Sequence, residues 1–375
     1  MDNFNGNGQI IYFDPEWVSG KTCLFNVHNT VEYYKGLEGL SRIRKEFIKK
    51  LENMGFVITY TPDPSKDILY FTMDGTAICD KPTTNDIFKK MFDEVIFKAG
   101  GEKLNYPYSL SLTEYFNSPF YPAVFKNELM NGGKDKFLIE KEKQVETLKR
   151  FYEEFKNKED YKYHFGCTIM QQLITTPTEY TTYMRVLMSA SGDVLGASLK
   201  YSRAIQQARQ YEGVFEKHFL DSNSKYYLDS HKMFNYYSNG GNINLAQSRF
   251  NYVEKELLLS HGIDPDNAMV PEEVLEVARS IAINCNRELG IMCGIDFILD
   301  EVTNKWYYLE LQAYPAMDEW LIANRIRPVE VKNINHFVKY NAQDLEARFA
   351  ALMLYMENKP NRSDKQILAR MPNNE

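Results

Sequence analysis

Two carboxylates and an amide stand at regular intervals near the C-terminal end of the chain. They lie in Gly294-Ile295-Asp296-Phe297-Ile298-Leu299-Asp300 and in Tyr308-Leu309-Glu310-Leu311-Gln312-Ala313-Tyr314-Pro315. Side chains alternate across a strand, so Asp296 shares a face with Ile298, and Glu310 shares one with Gln312. A hairpin centred on Thr303 brings Asp296 beside Glu310 and Gln312. Carboxylates among apolar neighbours are costly to bury unless they are paired or bound to a cation. Hard oxygen donors of this kind suit Mg²⁺ that phosphate oxygens hold at the same time. A solvent-facing row on an amphipathic hairpin is the competing reading of the same residues.

Further upstream, Pro122-Ala123-Val124-Phe125-Lys126 puts a lysine at the end of an apolar run. A long cationic stem leaving a buried strand is suited to reaching a phosphate. The Gly132-Gly133 pair that follows can fold over phosphates and donate backbone N–H groups. Met170-Gln171-Gln172-Leu173-Ile174 leads into a polar turn and then Glu179. A hinge of that kind offers N–H and C=O groups to an adenine edge, with an acidic residue for ribose hydroxyls. Arg185, on the next strand, is in reach of a triphosphate. Taken singly, each has an ordinary reading: a strand-end lysine, a plain turn and a cross-strand ion pair.

The elements that must position these residues follow from periodicity. Gln9–Phe13 and Thr22–Val27 are short β-rich runs, and Leu37–Met54 has helical spacing with Gly55 as its stop. Phe56–Tyr60 and Ile68–Phe71 read as buried strands, so the N-terminal hundred residues predict a parallel α/β unit. Pro119 and Pro122 mark the passage to a second unit. There Ala123–Phe125 and Phe137–Ile139 are strands, a charged helix runs from Lys141 to Lys156 with a solvated face, and Thr168–Leu173 is apolar. Thr181–Met188 and Val194–Tyr201 form a hairpin around Ser191-Gly192-Asp193. Pro271–Leu289 predicts an amphipathic helix stopped by Gly290, and residues 341–356 a last helix. Residues 204–237 have no clear period.

At 375 residues the chain exceeds one compact core and predicts two or three subdomains. A net charge of −7 with no basic stripe argues against nucleic acid as a partner. The five cysteines form no CxxC pair, which predicts reduced thiols in a cytoplasmic protein. Met1 to Gly8 has no charged region followed by an apolar run, and no stretch approaches the length of a membrane span.

The order strand-lysine, glycine loop, hinge, glutamate, strand-arginine, long helix, GIDFILD and LELQAYP resembles the ATP-grasp superfamily of carboxylate–amine ligases, over about residues 119–317. The resemblance implies an α/β and α+β architecture, in which two ATP-gripping subdomains stand above an N-terminal α/β domain. The expected divisions are 1–118, 119–200 and 201–357, with a mobile tail from 358. By position, Lys126 would touch the α- and β-phosphates, and Gln172 and Ile174, with Leu173 between them, would frame the adenine. Glu179 would hold the ribose, and Arg185 would steady the γ-phosphate. Asp296, Glu310 and Gln312 would ligate Mg²⁺. Ser238-Asn239-Gly240-Gly241 resembles the segment near phosphates and substrate, which makes Asn239 a further contact. Gly132 and Gly133 would form the lid, and Arg203 would stabilise an oxyanion or hold a substrate carboxylate.

Three departures from the family pattern stand out. Gln312 occupies the usual asparagine position, Gln171 or Gln172 replaces an acidic hinge residue, and the second phosphate lysine is left open among Lys81, Lys98 and Lys103. The implied activity is ATP-dependent joining of a carboxylate to an amine through an acyl phosphate. Its substrates are small, amino acid or peptide, and the assembly is open to a homodimer. A peptide-tailoring, macrocyclising ligase and a non-catalytic ATP-binding regulator are the alternatives.

Overall fold

The computed structural model describes residues 6–20, 30–63, 65–71, 105–127, 136–157, 168–174, 181–202, 242–244, 270–284, 290–300, 302–312, 317–324 and 333–358, with single residues at 315, 326 and 329. The mixed α/β and α+β organisation expected from the sequence is the one observed: three sheets with helices packed against them.

The N-terminal sheet is parallel. Its strands β1 (Ile10–Tyr12), β2 (Val57–Thr59) and β3 (Ile68–Tyr70) lie in the order β2-β1-β3. Helix α1 (Pro15–Ser19) follows β1, capped by the Asp14 side chain. The crossover to β2 is α2 (Thr30–Asn53), which starts seven residues before the apolar period becomes legible at Leu37. It ends at Gly55, whose positive φ of 84° suits the residue that closes a helix. β2 is not the buried strand that the sequence predicts. It is an edge strand, with Val57 exposed and only the preceding Phe56 inside. Thr22–Val27 lies outside the described residues.

The central sheet is antiparallel, in the order β4-β7-β5-β6, from β4 (Ser109–Ser111), β5 (Ala123–Asn127), β6 (Lys136–Ile139) and β7 (Thr168–Gln172). Helix α3 (Leu112–Asn117) leaves β4 through a capping box between Ser111 and Glu114. The charged helix α4 (Glu142–Phe155) turns Val145, Leu148 and Phe151 inward against Ala123, Phe125, Ile139 and Met170. Its charges therefore solvate one face while an apolar stripe anchors the other.

The third sheet has five antiparallel strands in the order β10-β9-β8-β11-β12. These are β8 (Thr181–Ser189), β9 (Val194–Ser202), β10 (Asn242–Asn244), β11 (Met292–Asp300) and β12 (Lys305–Gln312). Helix α5 (Glu272–Asn284) precedes β11, α6 (Asp318–Ala323) follows β12, and α7 (Ile334–Glu357) closes the described chain. α7 begins seven residues before the predicted 341. Ile334, Phe337 and Val338 carry helical spacing back to this start, and Asn333 caps it by accepting from the His336 N–H.

Ser109–Ser111 joins the central sheet, and Thr181–Ser202 joins the five-stranded sheet. One apolar cluster runs from Ile11, Phe13 and Trp17 through Leu187 and Met292 to Leu345, Ala351 and Tyr355 on α7. The N-terminal sheet and the back of the five-stranded sheet therefore share a core. Within it, Arg44 lies 4.2 Å from the Trp17 ring centroid and donates to the Trp17 carbonyl. Arg348 pairs with Asp344 at 2.9 Å one turn away. No described helix is long and apolar enough to cross a membrane.

Candidate functional site

The β11–β12 hairpin forms as the alternation predicts, with one irregularity. Asp300 closes its turn: Oδ1 accepts from the Val302 N–H at 3.0 Å, and Oδ2 accepts from the Thr303 hydroxyl at 2.7 Å. Asn304 takes a positive φ of 53°, a conformation that asparagine tolerates. At the far end Gly294 pairs with Gln312, and Asp296 pairs directly with Glu310. A Cβ on Gly294 would stand 2.9 Å from the Pro315 ring. Glycine at this position is what lets the chain after LELQAY fold back over the strand. The expected meeting of Asp296 and Glu310 is thus present in the backbone register.

Between these pairs and the turn, the register slips by one residue, because Asp296 faces Glu310 whereas Phe297 faces Tyr308. Leu309 is the extra residue of a β-bulge on β12. Bulges disrupt the ladder locally and recur next to functional sites. Here the Leu309 carbonyl accepts a hydrogen bond from Lys126 Nζ at 3.2 Å. The lysine comes from β5 of the other sheet and is 2% exposed, so it is no surface residue. Its ammonium therefore meets β12 one residue from Glu310.

On the other side of β11, Asp296 pairs with Arg185 of β8 in register. Arg185 Nε and Nη2 donate to Asp296 Oδ1 and Oδ2, each at 2.7 Å. The side chains are 15% and 3% exposed respectively. A planar two-point pair of this kind is the strong form of the carboxylate–guanidinium contact. A row thus crosses the sheet from Arg185 through Asp296 to the position of Glu310. The competing reading of Arg185 as a cross-strand ion pair is met in full, and the arginine is held by the very carboxylate assigned to a cation.

The donor chemistry fits Mg²⁺. Among the described residues no group of three or more His, Cys, Asp or Glu is placed to hold a metal alone. A cation here would draw on Asp296, Glu310, the Gln312 amide and phosphate oxygens, which is how Mg²⁺ is usually held. An ionised carboxylate has about four lone-pair sites, so the arginine leaves outer positions on both Asp296 oxygens.

The hinge is partly committed. Gln171 is buried, with its amide nitrogen 3.3 Å from Ser109 Oγ, while Gln172 is exposed. The Gln172 N–H donates to the Tyr108 carbonyl at 2.7 Å, and the Leu173 N–H donates to the Pro122 carbonyl at 3.2 Å. Those two donors are spent on holding β7 to its neighbours, so neither N–H serves the adenine edge expected from the sequence. Ile174 is buried. Gly132, Gly133, Glu179, Arg203 and Asn239 lie outside the described residues, as do Lys81, Lys98 and Lys103.

Two further contacts bind the sheets together. Asn105 extends the edge of β12: its carbonyl accepts from the Tyr308 N–H at 2.9 Å, and its Nδ2 donates to the Trp306 carbonyl at 3.0 Å. Tyr106 stacks on Tyr308 at 5.7 Å between centroids. Sequence reading misses these because neither residue belongs to a periodic element. Cys293, fully buried beside Gly294 on β11, has its thiol pushed up to about 12 by burial. It stays a protonated core residue at neutral pH, as expected of a packed thiol.

No family model matches the chain, and no curated protein does either. Among solved structures it is similar to the ATP-grasp ligase PsnB complexed with minimal precursor, at 11% identity and a TM-score of 0.36, over 92% of this chain and 78% of that one. It is similar to D-alanyl-alanine synthetase A from Vibrio cholerae, at 10% identity and a TM-score of 0.37, over 92% and 99% of the two chains. The L-amino acid ligase from Bacillus licheniformis is another, at 12% identity and a TM-score of 0.33, over 90% and 74%. Likeness at that level says nothing of chemistry, which rests on the residues themselves.

Proposed function

We propose that this protein is an ATP-dependent ligase of the ATP-grasp type, joining a carboxylate to an amine on amino acid or peptide substrates in the cytoplasm. The observation that supports it most is the meeting of Lys126 with the Leu309 bulge, beside Glu310 and across the hairpin from the Arg185–Asp296 pair. Phosphates lying between the two sheets would meet an ammonium from one and a carboxylate row from the other. Phosphoryl transfer asks mainly for such positioning and charge neutralisation.

In this reading Lys126 orients the phosphates, and the Gln172 carbonyl and Ile174 bound the adenine. Asp296, Glu310 and Gln312 would hold Mg²⁺, whose chemistry when bound is to neutralise the charge on the transferring phosphoryl group. An oxygen of the substrate carboxylate bonds to the γ-phosphorus as the bond to ADP breaks. The amine nitrogen then adds to the acyl carbon, phosphate leaves and the nitrogen loses a proton. Glu179 as ribose ligand, Gly132 and Gly133 as the lid excluding water, Asn239 as a phosphate-side contact and Arg203 as oxyanion stabiliser rest on sequence order.

The test is ADP and phosphate release with Mg·ATP across a panel of amino acids and short peptides. Release that requires both an added carboxylate and an added amine is expected. Steady hydrolysis indifferent to both, or nucleotide binding with no turnover on any pair, would contradict the ligase reading.

A further inference from the structure

The sequence order assigns Arg185 to the γ-phosphate, but its geometry points elsewhere. Two of its donors, Nε and Nη2, are committed to the two oxygens of Asp296 at 2.7 Å each. The pairing is built into the backbone, since β8 and β11 are in register at these two residues. The Asp296 side chain is 3% exposed, so its carboxylate cannot turn toward water for a partner. On its other flank the backbone register sets Glu310 directly opposite. An arginine fork on both oxygens fixes the carboxylate plane. An ammonium, having no planar fork, does not fix that plane.

We infer that Arg185 is a positioning residue for the metal-binding carboxylate, acting through Asp296 on cation affinity and not on recognition of the γ-phosphate. This rests on the nucleotide and Mg²⁺ reading of the site. The consequence separates the two roles. A residue that orients a metal ligand affects cation binding equally with a diphosphate or a triphosphate. A residue that touches the γ-phosphate affects only the triphosphate.

The experiment titrates Mn²⁺, as a paramagnetic probe for Mg²⁺, into wild type, Arg185→Met and Arg185→Lys. Free Mn²⁺ is counted by electron paramagnetic resonance with saturating ADP and, separately, with a non-hydrolysable ATP analogue. Loss of a partner that orients a metal ligand typically weakens metal affinity about 10- to 100-fold. Arg185→Met is therefore expected to lose at least about tenfold, by the same factor with both nucleotides. Arg185→Lys, which keeps the charge and serves if the Met variant does not fold, is expected to lose affinity alike with both. Unchanged Mn²⁺ affinity with ADP in either variant, with loss only for the triphosphate analogue, would overturn the inference and return Arg185 to the γ-phosphate. Wild-type protein that binds no Mn²⁺ with ADP would overturn the reading of the site itself, and this inference with it.

Discussion

Asp296→Asn is expected to abolish ATP turnover and to cost about 3 kcal/mol of stability, the lower end of what breaking a buried ion pair does. Asparagine fills the same space, so the loss is electrostatic and not a packing defect. It leaves the Arg185 guanidinium, 15% exposed, without its anion in the middle of the five-stranded sheet. It also removes one of the two carboxylates proposed to hold the cation. Loss of an orienting partner alone costs about 10- to 100-fold in metal sites, so loss of the ligand should exceed about 100-fold in kcat/KM. Urea unfolding gives the first quantity and ADP release the second. A variant that loses stability but keeps Mg²⁺-dependent turnover would make Asp296 a structural ion-pair member only.

Lys126→Met is expected to weaken nucleotide binding between about tenfold and a hundredfold, the equivalent of a charge-assisted hydrogen bond worth about 1.5–3 kcal/mol. Methionine nearly matches the buried stem, so β5 and its packing are retained. What is lost is the ammonium at Leu309 and the phosphate contact proposed for it. Lys126→Arg is not expected to restore affinity, because a planar guanidinium does not reproduce the compact point charge of the lysine, which is 2% exposed. Equilibrium binding of ADP to the three proteins checks this. Wild-type affinity in Lys126→Met would mean that the lysine serves only to tie β5 to the bulge.

Much of this site could be read before the structure, and the parts that could not have physical reasons. The Asp296–Glu310 meeting is legible because a hairpin with a short turn has only a few registers and alternation selects the face. The bulge at Leu309 is not: it is one extra residue with no glycine or proline to announce it, and it decides which carbonyl Lys126 reaches. The Arg185–Asp296 pair joins residues 111 positions apart, and strand order across a sheet is not written in local periodicity. The same limit explains the sheet membership of Thr181–Ser202, which follows β11 as its neighbour and not the preceding β7. Helix starts fail for a different reason. At Asn333 the cap and the short i, i+3, i+4 set of Ile334, Phe337 and Val338 start α7, a signal too brief to separate from a loop before the longer period begins.

The ligase proposal requires a nucleotide and Mg²⁺ site between the central sheet and the β11–β12 hairpin. Calorimetric titration of ADP into the wild-type protein, with and without Mg²⁺, tests it most directly. The predicted result is one ADP per chain, bound more tightly when Mg²⁺ is present, with the Mg²⁺ effect lost in Asp296→Asn. No binding, or binding indifferent to Mg²⁺ in the wild type, would contradict it.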